Sequence, residues 1–140
     1  MKIRCIVVLI IMLPLLMEQN GISFAQTRSY SQSSVLPTAS EIESTNARLP
    51  VFVADGTMWT KVEYDRATKT ERFYYRLTQP VDERTITSAV LYQLKGNMKN
   101  AMRQNPNSMK RVNAGMTYLY LYYSSDNRKL YEIRIDKSDF

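Results

Sequence analysis

The sequence predicts an α+β domain: a four-stranded antiparallel sheet with one amphipathic helix on one face, in the order ββαββ. Two observations carry this prediction. Apolar and polar residues alternate in two pairs of short segments, which is the side-chain period of β-strands. Between the two pairs, one longer segment repeats its apolar residues with the period of a helix. Such a helix covers one face of the sheet and leaves the other face open.

The first two strands are predicted from Thr57 to Asp65 and from Arg72 to Thr78, joined by a polar connection of hairpin length. In the first strand, Thr60, Val62 and Tyr64 are expected on one face, opposite Trp59, Lys61 and Glu63. In the second strand, Phe73, Tyr75 and Leu77 are expected opposite Arg72, Tyr74 and Arg76.

The helix is predicted from Val81 to Gln104, after Pro80 has broken the strand pattern. Asn105-Pro106 ends it, because the residue before a proline avoids helical backbone angles. A second short turn is predicted from Ser108 to Ala114, with Gly115 as its left-handed terminator. The apolar stripe of the main helix is expected to contain Ile86, Val90, Leu94, Met98 and Ala101.

The last two strands are predicted from Met116 to Ser124 and from Lys129 to Asp136. Residues 125–128 join them, and Asp126 and Asn127 are residue types that adopt hairpin-turn angles. In the final strand, Tyr131, Ile133 and Ile135 are expected on the face opposite Leu130, Glu132 and Arg134.

Residues 1–25 have the pattern of a secretory signal peptide. Lys2 and Arg4 precede an apolar run from Cys5 to Met17, and small residues then lie three and one positions before a predicted cut after Ala25. The run is shorter than the about 20 residues that a membrane-spanning helix needs, so no stable membrane anchor is expected. The sequence therefore predicts an exported protein that is periplasmic or secreted.

Two segments separate the predicted signal peptide from the domain. Residues 26–40 are polar and serine-rich, which is typical of a flexible tether. Residues 41–56 contain a predicted short helix, capped by Ser40, and a connecting segment that ends in a turn at Asp55-Gly56. The α+β domain is then expected to span residues 57–140.

The composition excludes several kinds of chemistry. The chain has no histidine, and its single cysteine, Cys5, belongs to the predicted signal peptide. The exported protein therefore has no disulfide, no thiol nucleophile, no Cys/His metal site and no histidine acid or base. The sequence also has no phosphate-binding glycine loop and no hydrolase motif. We expect a protein that is not an enzyme and that binds no cofactor and no metal.

The strand from Met116 to Tyr123 carries tyrosines on both of its faces. If every strand turns its more aliphatic face toward the helix, Leu119 and Leu121 point inward and three tyrosines lie on the uncovered face. This interpretation depends on register, because a slip of one residue exchanges the two faces. Tyrosine and arginine are enriched at the energetic centres of interfaces. The candidate binding residues are Arg72, Tyr74, Arg76, Tyr118, Tyr120, Tyr122 and Arg134.

Other interpretations of these features stay open. The uncovered face fits an ordinary exposed sheet surface equally well, or a surface that the apolar residues 51–53 cover. Lys95, Lys99 and Arg103 form a basic stripe that fits either a solvated helix face or a contact with lipid phosphate, cell-wall polymer or nucleic acid. RNA binding is not expected, since the basic-glycine-aromatic motif of RNA-binding sheets is missing.

Several short motifs resemble an uncharacterised family of small exported bacterial proteins. The resemblance rests on Asn46, Leu49-Pro50, FYYRL at residues 73–77, Asn105-Pro106, and the glycine-led tyrosine strand from Gly115 to Tyr120. Members of that family often carry cysteines where this chain has Leu49, Ala101 or Met102, and Phe140, so no disulfide is implied here. The resemblance implies an envelope location and the ββαββ order, and it implies no activity.

The functional expectation is therefore a small, exported, non-enzymatic domain. It is expected to bind another cell-envelope component, either a protein or a polymer, through the aromatic and basic face of its sheet. The alternative is a structural or self-associating envelope protein in which the same face forms a homodimer. Nucleic acid is not expected as a partner.

Overall fold

A computed structural model of the chain describes residues 35–140. The predicted signal peptide and residues 26–34 of the predicted tether lie outside these described residues. Two 3₁₀ turns, Glu83–Thr85 and Lys137–Asp139, accompany the main elements. In chain order, the main elements are helix α1 (Ala39–Asn46), strands β1 (Val51–Ala54), β2 (Thr57–Asp65) and β3 (Thr70–Leu77), helices α2 (Ser88–Gln104) and α3 (Pro106–Asn113), and strands β4 (Thr117–Tyr123) and β5 (Lys129–Ile135).

The α+β class is confirmed, but the sheet is a mixed sheet of five strands in the order β1-β2-β3-β4-β5. The prediction of four antiparallel strands was wrong in two respects. The short apolar segment Val51–Ala54 forms an additional edge strand that pairs with β2. Strands β3 and β4 run parallel, because α2 and α3 return the chain to the start of β3 before β4 begins.

Side-chain caps set the ends of the helices. Helix α2 begins at Ser88 rather than at Val81, because the Thr87 hydroxyl accepts a hydrogen bond from the Val90 N–H. Helix α1 is capped by Thr38 in a capping box with Glu41, and not by Ser40. Beyond α3, Gly115 has the predicted left-handed conformation, with φ of +90°.

Helices α2 and α3 pack on one face of the sheet, which we call the covered face. The core between these helices and the sheet is rich in aromatic side chains, and Phe73 stacks on Tyr120 with 5.1 Å between ring centres. The buried core residues are Trp59, Val62, Tyr75, Leu94, Met98, Met102, Val112, Met116, Tyr118, Tyr120, Tyr122, Tyr131, Ile133 and Ile135.

The rings of Tyr118, Tyr120 and Tyr122 belong to this core, so the expectation that they face solvent was wrong. Their exposed fractions are 5%, 7% and 0%. Cross-strand partners share a face of a sheet, and these tyrosines pair with the three apolar residues of β5 that alternate inward. The reverse arrangement would place Arg134 and Glu132 beneath the helices, with a large desolvation cost.

Two bulges determine which side chains reach the core. Between β4 and β5 the register shifts next to Tyr123, and Leu130 is the extra residue. Continued pairing from Tyr123↔Lys129 without this shift would set Leu121 opposite Tyr131 and turn the leucines inward. In β2, a shift between Trp59 and Lys61 turns Trp59 to the covered face. The expectation that Trp59 shares a face with Lys61 and Glu63 was therefore also wrong.

Candidate functional site on the open face of the sheet

The second face of the sheet, which we call the open face, is covered by no helix of residues 35–140, and many of its charged side chains are exposed. Four of the seven predicted binding residues lie here, whereas Tyr118, Tyr120 and Tyr122 lie on the covered face. Cross-strand pairing arranges the open face in three rows: Phe52, Met58, Arg76, Tyr123 and Lys129; Lys61, Tyr74, Leu121 and Glu132; Glu63, Arg72, Leu119 and Arg134.

The first row combines apolar side chains with an unpaired cation. Phe52 is 67% exposed, although it lies within a strand. Met58 is half-buried beside it, Arg76 is exposed beside Met58, and Tyr123 is half-buried beside Arg76. Arg76 forms no ion pair with any carboxylate in the described part of the chain. The row therefore offers an aromatic surface next to an available guanidinium group.

The sequence reasoning missed Phe52, Met58 and Tyr123 as surface residues. The alternation in Val51–Ala54 was the available signal, because Val51 and Val53 pack against the core and the residue between them must point away. The segment was expected to be a connection or to cover the sheet face, but it forms the edge strand β1, and Phe52 points outward from the open face. Met58 was missed because the bulge in β2 changes the face of every residue before it.

In the second row, Tyr74 is held in a fixed polar arrangement. Its hydroxyl donates a hydrogen bond to Glu63 Oε2 at 2.5 Å, and the Lys61 ammonium group forms an ion pair with the same carboxylate. The Tyr74 ring stacks on Tyr123 with 6.2 Å between centres. Leu121, in the same row, is 6% exposed. The middle of the open face is therefore ordered before any partner binds.

These contacts shift the pKa values of the Glu63 carboxyl group and of the Tyr74 hydroxyl group. The hydrogen bond from Lys61, followed by that from Tyr74, lowers the pKa of Glu63. Partial burial, followed by the bond to Glu63, raises the pKa of Tyr74 to about 12. At neutral pH, Glu63 is therefore an anion with two donors, and Tyr74 is a neutral hydrogen-bond donor.

The two arginines of the third row keep accessible guanidinium groups. Arg72 Nη2 lies 3.9 Å from Asp65 Oδ2, and Arg134 Nε lies 3.0 Å from Asp136 Oδ2. The Arg134 side chain is 64% exposed. Exposed ion pairs of this kind contribute only about 0–1 kcal/mol. Both arginines are therefore free to exchange their partners for a carboxylate on another molecule.

The basic stripe of α2 lies away from the open face and is engaged by residues that follow β5. Lys95 Nζ is 2.8 Å from Asp139 Oδ1. The charged groups of Lys99 and Arg103 lie 5.8 and 5.3 Å from the centre of the Phe140 ring. These contacts fasten the end of the chain to α2 through an ion pair and cation–π interactions.

A buried carboxylate on the covered face also escaped the sequence reasoning. Glu71 is 6% exposed, and its nearest cation is Arg111, whose Nη1 is 3.9 Å from Glu71 Oε2. Arg111 also lies 4.0 Å from Glu41 and donates a hydrogen bond to the Val35 carbonyl at 3.1 Å. Burial raises the pKa of Glu71 to about 7 against the opposing effect of Arg111. This arginine joins α1 to the sheet and α3.

Neither a metal centre nor a membrane span is found in residues 35–140. No group of three or more potential side-chain ligands converges there on a position for a metal ion. No helix in that range combines the length and the apolar character needed to cross a bilayer.

Two solved structures are similar to this one at very low sequence identity, and one of them has a TM-score above 0.5. The pilotin from the type 2 secretion system of Vibrio vulnificus has a TM-score of 0.51 and 8% identity, over 71% of this chain and 84% of that chain. The type II secretion system pilotin from Vibrio cholerae has a TM-score of 0.48 and 10% identity, over 72% of this chain and 86% of that chain. At such identities the similarity is one of fold.

No curated protein matches this sequence. A family model does match it, over residues 38–131, and is described as a domain of unknown function (DUF8479). The matched range runs from the cap of α1 into β5 and so includes most of the sheet and the helices that cover it. The chain therefore belongs to this uncharacterised family, as the motifs predicted.

Proposed function

We propose that the protein is exported and that its open face binds another protein of the bacterial cell envelope, without catalysis and without a cofactor. The observation that carries the proposal is the row formed by Phe52, Met58, Arg76 and Tyr123. Arg76, which has no carboxylate partner in the described chain, lies there between Met58 and Tyr123, and Phe52, which is 67% exposed, lies at the end of the same row. Aromatic and arginine side chains are the types that dominate binding energy at interfaces.

The envelope location is supported by two independent features. Residues 1–25 have the charge, apolar run and small residues of a signal peptide. The Vibrio vulnificus protein that shares the fold is a pilotin of a secretion system, which gives this fold a precedent in export. Both features support a protein that acts outside the cytoplasm.

The charges of the open face indicate the chemistry of the partner. Cations outnumber acids in the three rows, and the acids Glu63 and Glu132 are each paired with a lysine. A complementary surface carries carboxylates around an apolar centre. Phe52, Met58 and Tyr123 favour a protein surface over a polymer of sugars, because they give the first row accessible apolar surface.

Site-specific photocrosslinking in the producing cell tests this proposal. A benzophenone amino acid at position 52 is expected to form one discrete adduct with an envelope protein. The matched control is position 92, because Tyr92 is an aromatic residue of α2 that is 83% exposed and lies outside the open face. Arg76→Glu is expected to abolish the adduct from position 52 without lowering the melting temperature.

Equal adducts from positions 52 and 92, or an adduct that survives Arg76→Glu, would contradict the proposal. An adduct with the mass of two chains would show that the partner is a second copy of this protein and not another envelope protein. Sedimentation at several concentrations would then check the homodimer directly.

A further inference from the structure

The outer edge of β2 is paired over only part of its length. Strand β1 covers β2 at Thr57, Met58 and Trp59, whereas β2 continues to Asp65. Unpaired backbone groups at a sheet edge are able to hydrogen-bond to another extended chain. The part of β2 beyond Trp59 is therefore a second place where this protein can bind a polypeptide.

The Asn46 side chain satisfies one position of this edge. Its Nδ2 donates a hydrogen bond to the Val62 carbonyl at 2.8 Å, and its Oδ1 accepts one from the Val62 N–H at 2.9 Å. These are the two bonds that a neighbouring strand would form with Val62. An amide at the end of α1 thus takes the place of a peptide group.

Tyr64 is the next residue of β2 whose backbone groups point to the same edge. Alternate residues of a strand direct their N–H and C=O groups to the same side, and the register from Val62 to Asp65 is regular. No hydrogen bond from any described residue reaches the outward backbone groups of Tyr64. One donor and one acceptor are therefore available beyond the Asn46 contact.

A cleft of about 470 Å³ lies beside Tyr64, between α1 and β2. It is shallow and open to solvent. Its apolar lining includes Ile42 and Val62, and its charged lining includes Arg72. The complete lining is Ile42, Asn46, Lys61, Val62, Glu63, Tyr64, Asp65 and Arg72.

The charged lining of the cleft balances to zero, and its accessible hydrogen-bond donors belong to Arg72. Glu63 already accepts the Tyr74 hydroxyl and pairs with Lys61. Asp65 already accepts hydrogen bonds from the N–H groups of two residues in the β2–β3 turn. Arg72 has only the carboxylate of Asp65 at 3.9 Å, so its guanidinium donors are open to a ligand.

We propose that this cleft binds an extended acidic peptide segment, which pairs with the Tyr64 backbone as an added strand and places a carboxylate against Arg72. Strand addition supplies affinity through main-chain hydrogen bonds, and the Arg72 contact supplies selectivity. The site shares Arg72 with the third row of the open face, but it also uses the sheet edge and α1, so it goes beyond the open-face function and does not need the row of Phe52 and Arg76.

The test uses two synthetic eight-residue peptides, one of alternating valine and glutamate and one of alternating valine and glutamine. Nuclear magnetic resonance of the ¹⁵N-labelled protein follows binding and amide hydrogen exchange. The glutamate peptide is expected to slow exchange of the Tyr64 amide by about tenfold or more at saturation, because this N–H then donates to the added strand. The glutamine peptide is expected to bind at least about fivefold more weakly, a difference of about 1 kcal/mol.

Three arginine variants distinguish binding in the cleft from binding elsewhere on the surface. Arg72→Gln is expected to remove the preference for glutamate. Arg134→Gln makes the same change two strands away in the same row and is expected to leave the preference intact. Arg76→Glu, which tests the open face, is expected to leave peptide binding unchanged.

Absence of binding at millimolar glutamate peptide would overturn the proposal. Binding without protection of the Tyr64 amide would also overturn it, and so would an unchanged preference in Arg72→Gln. Because Arg76→Glu acts only on the open-face function, failure of one proposal is distinguishable from failure of the other.

Discussion

Tyr122 and Tyr123 are consecutive residues of β4, and their side chains point to opposite faces of the sheet. Tyr122 is fully buried, and its ring centre lies 5.0 Å from that of Tyr75 and 4.5 Å from that of Tyr131. Tyr123 is half-buried on the open face, where it stacks on Tyr74. The same residue type thus forms the core on one face and part of a candidate binding surface on the other.

This comparison shows that the two faces differ in what their polar atoms contact. On the covered face, the hydroxyl groups of Tyr122 and Tyr131 have no hydrogen-bond partner within residues 35–140. On the open face, the Tyr74 hydroxyl donates to Glu63. Packing of rings holds the covered face together, whereas hydrogen bonds and ion pairs order the open face.

Truncation of the two neighbouring tyrosines gives the largest expected contrast. Tyr122→Ala is expected to lower the free energy of unfolding by about 3–5 kcal/mol, because it leaves a cavity among stacked rings. Tyr123→Ala removes a partly exposed ring and is expected to cost about 1 kcal/mol or less. Urea unfolding followed by circular dichroism measures both. Similar losses of unfolding free energy in the two variants would contradict the assignment of Tyr122 to the core and of Tyr123 to the open face.

Glu71 on the covered face and Glu63 on the open face are expected to change the stability of the protein in opposite directions as pH rises. In the folded protein, burial raises the pKa of Glu71 from 4.5 to about 7. Between these values the folded protein retains a proton that the unfolded chain has lost, so stability falls as pH rises from 4.5 to 7. Glu71→Gln removes this dependence and is expected to raise the free energy of unfolding at pH 8 by up to about 3 kcal/mol.

Glu63→Gln is the matched variant on the open face. The hydrogen bonds from Lys61 and Tyr74 lower the pKa of Glu63, so this group stabilises the fold above its unfolded pKa and loses that effect as pH falls. The substitution is therefore expected to reduce stability at neutral pH and to have little effect in acid. Urea titrations at pH 4, 6 and 8 check both variants, and pH profiles of the same sign would contradict this assignment.

Removal of a single hydroxyl group gives the smallest expected changes in the free energy of unfolding, but the two changes have opposite signs. Tyr122→Phe deletes a buried hydroxyl without a described partner and is expected to raise the free energy of unfolding by about 1 kcal/mol. Tyr74→Phe deletes the donor of a 2.5 Å bond to a carboxylate and is expected to lower it by about 1 kcal/mol. Differential scanning calorimetry measures the two shifts in melting temperature, which should have opposite signs.

Much of the fold was predictable because local rules set the ends of its elements. Proline and glycine signals placed the end of α2 at Asn105 and the turn at Gly115, and alternation placed β2 to β5 within a few residues. Strand β1 was missed because its short alternation was interpreted as part of a connecting segment. The parallel pairing of β3 with β4 was missed because it depends on where two helices return the chain.

The candidate site was predictable only in part. Arg72, Tyr74, Arg76 and Arg134 lie on the open face, because residues 72–77 and 131–135 alternate polar or charged side chains with core side chains. Their role in binding stays a prediction. The cleft beside α1 had no sequence signal, since it is formed by a helix and a strand edge that come together only in the fold.

The sequence by itself determined the α+β class, the approximate limits of most elements and the face of each strand that alternates charged with apolar side chains. The tertiary structure alone decided which face of β4 is buried, because tyrosine and leucine are both suited to a core and local alternation is the same in either register. One extra residue, Leu130, fixes the register against β5. Since strand side chains repeat every two residues, this register and the parallel pairing of Tyr120 with Phe73 and of Tyr122 with Tyr75 turn all three tyrosines inward.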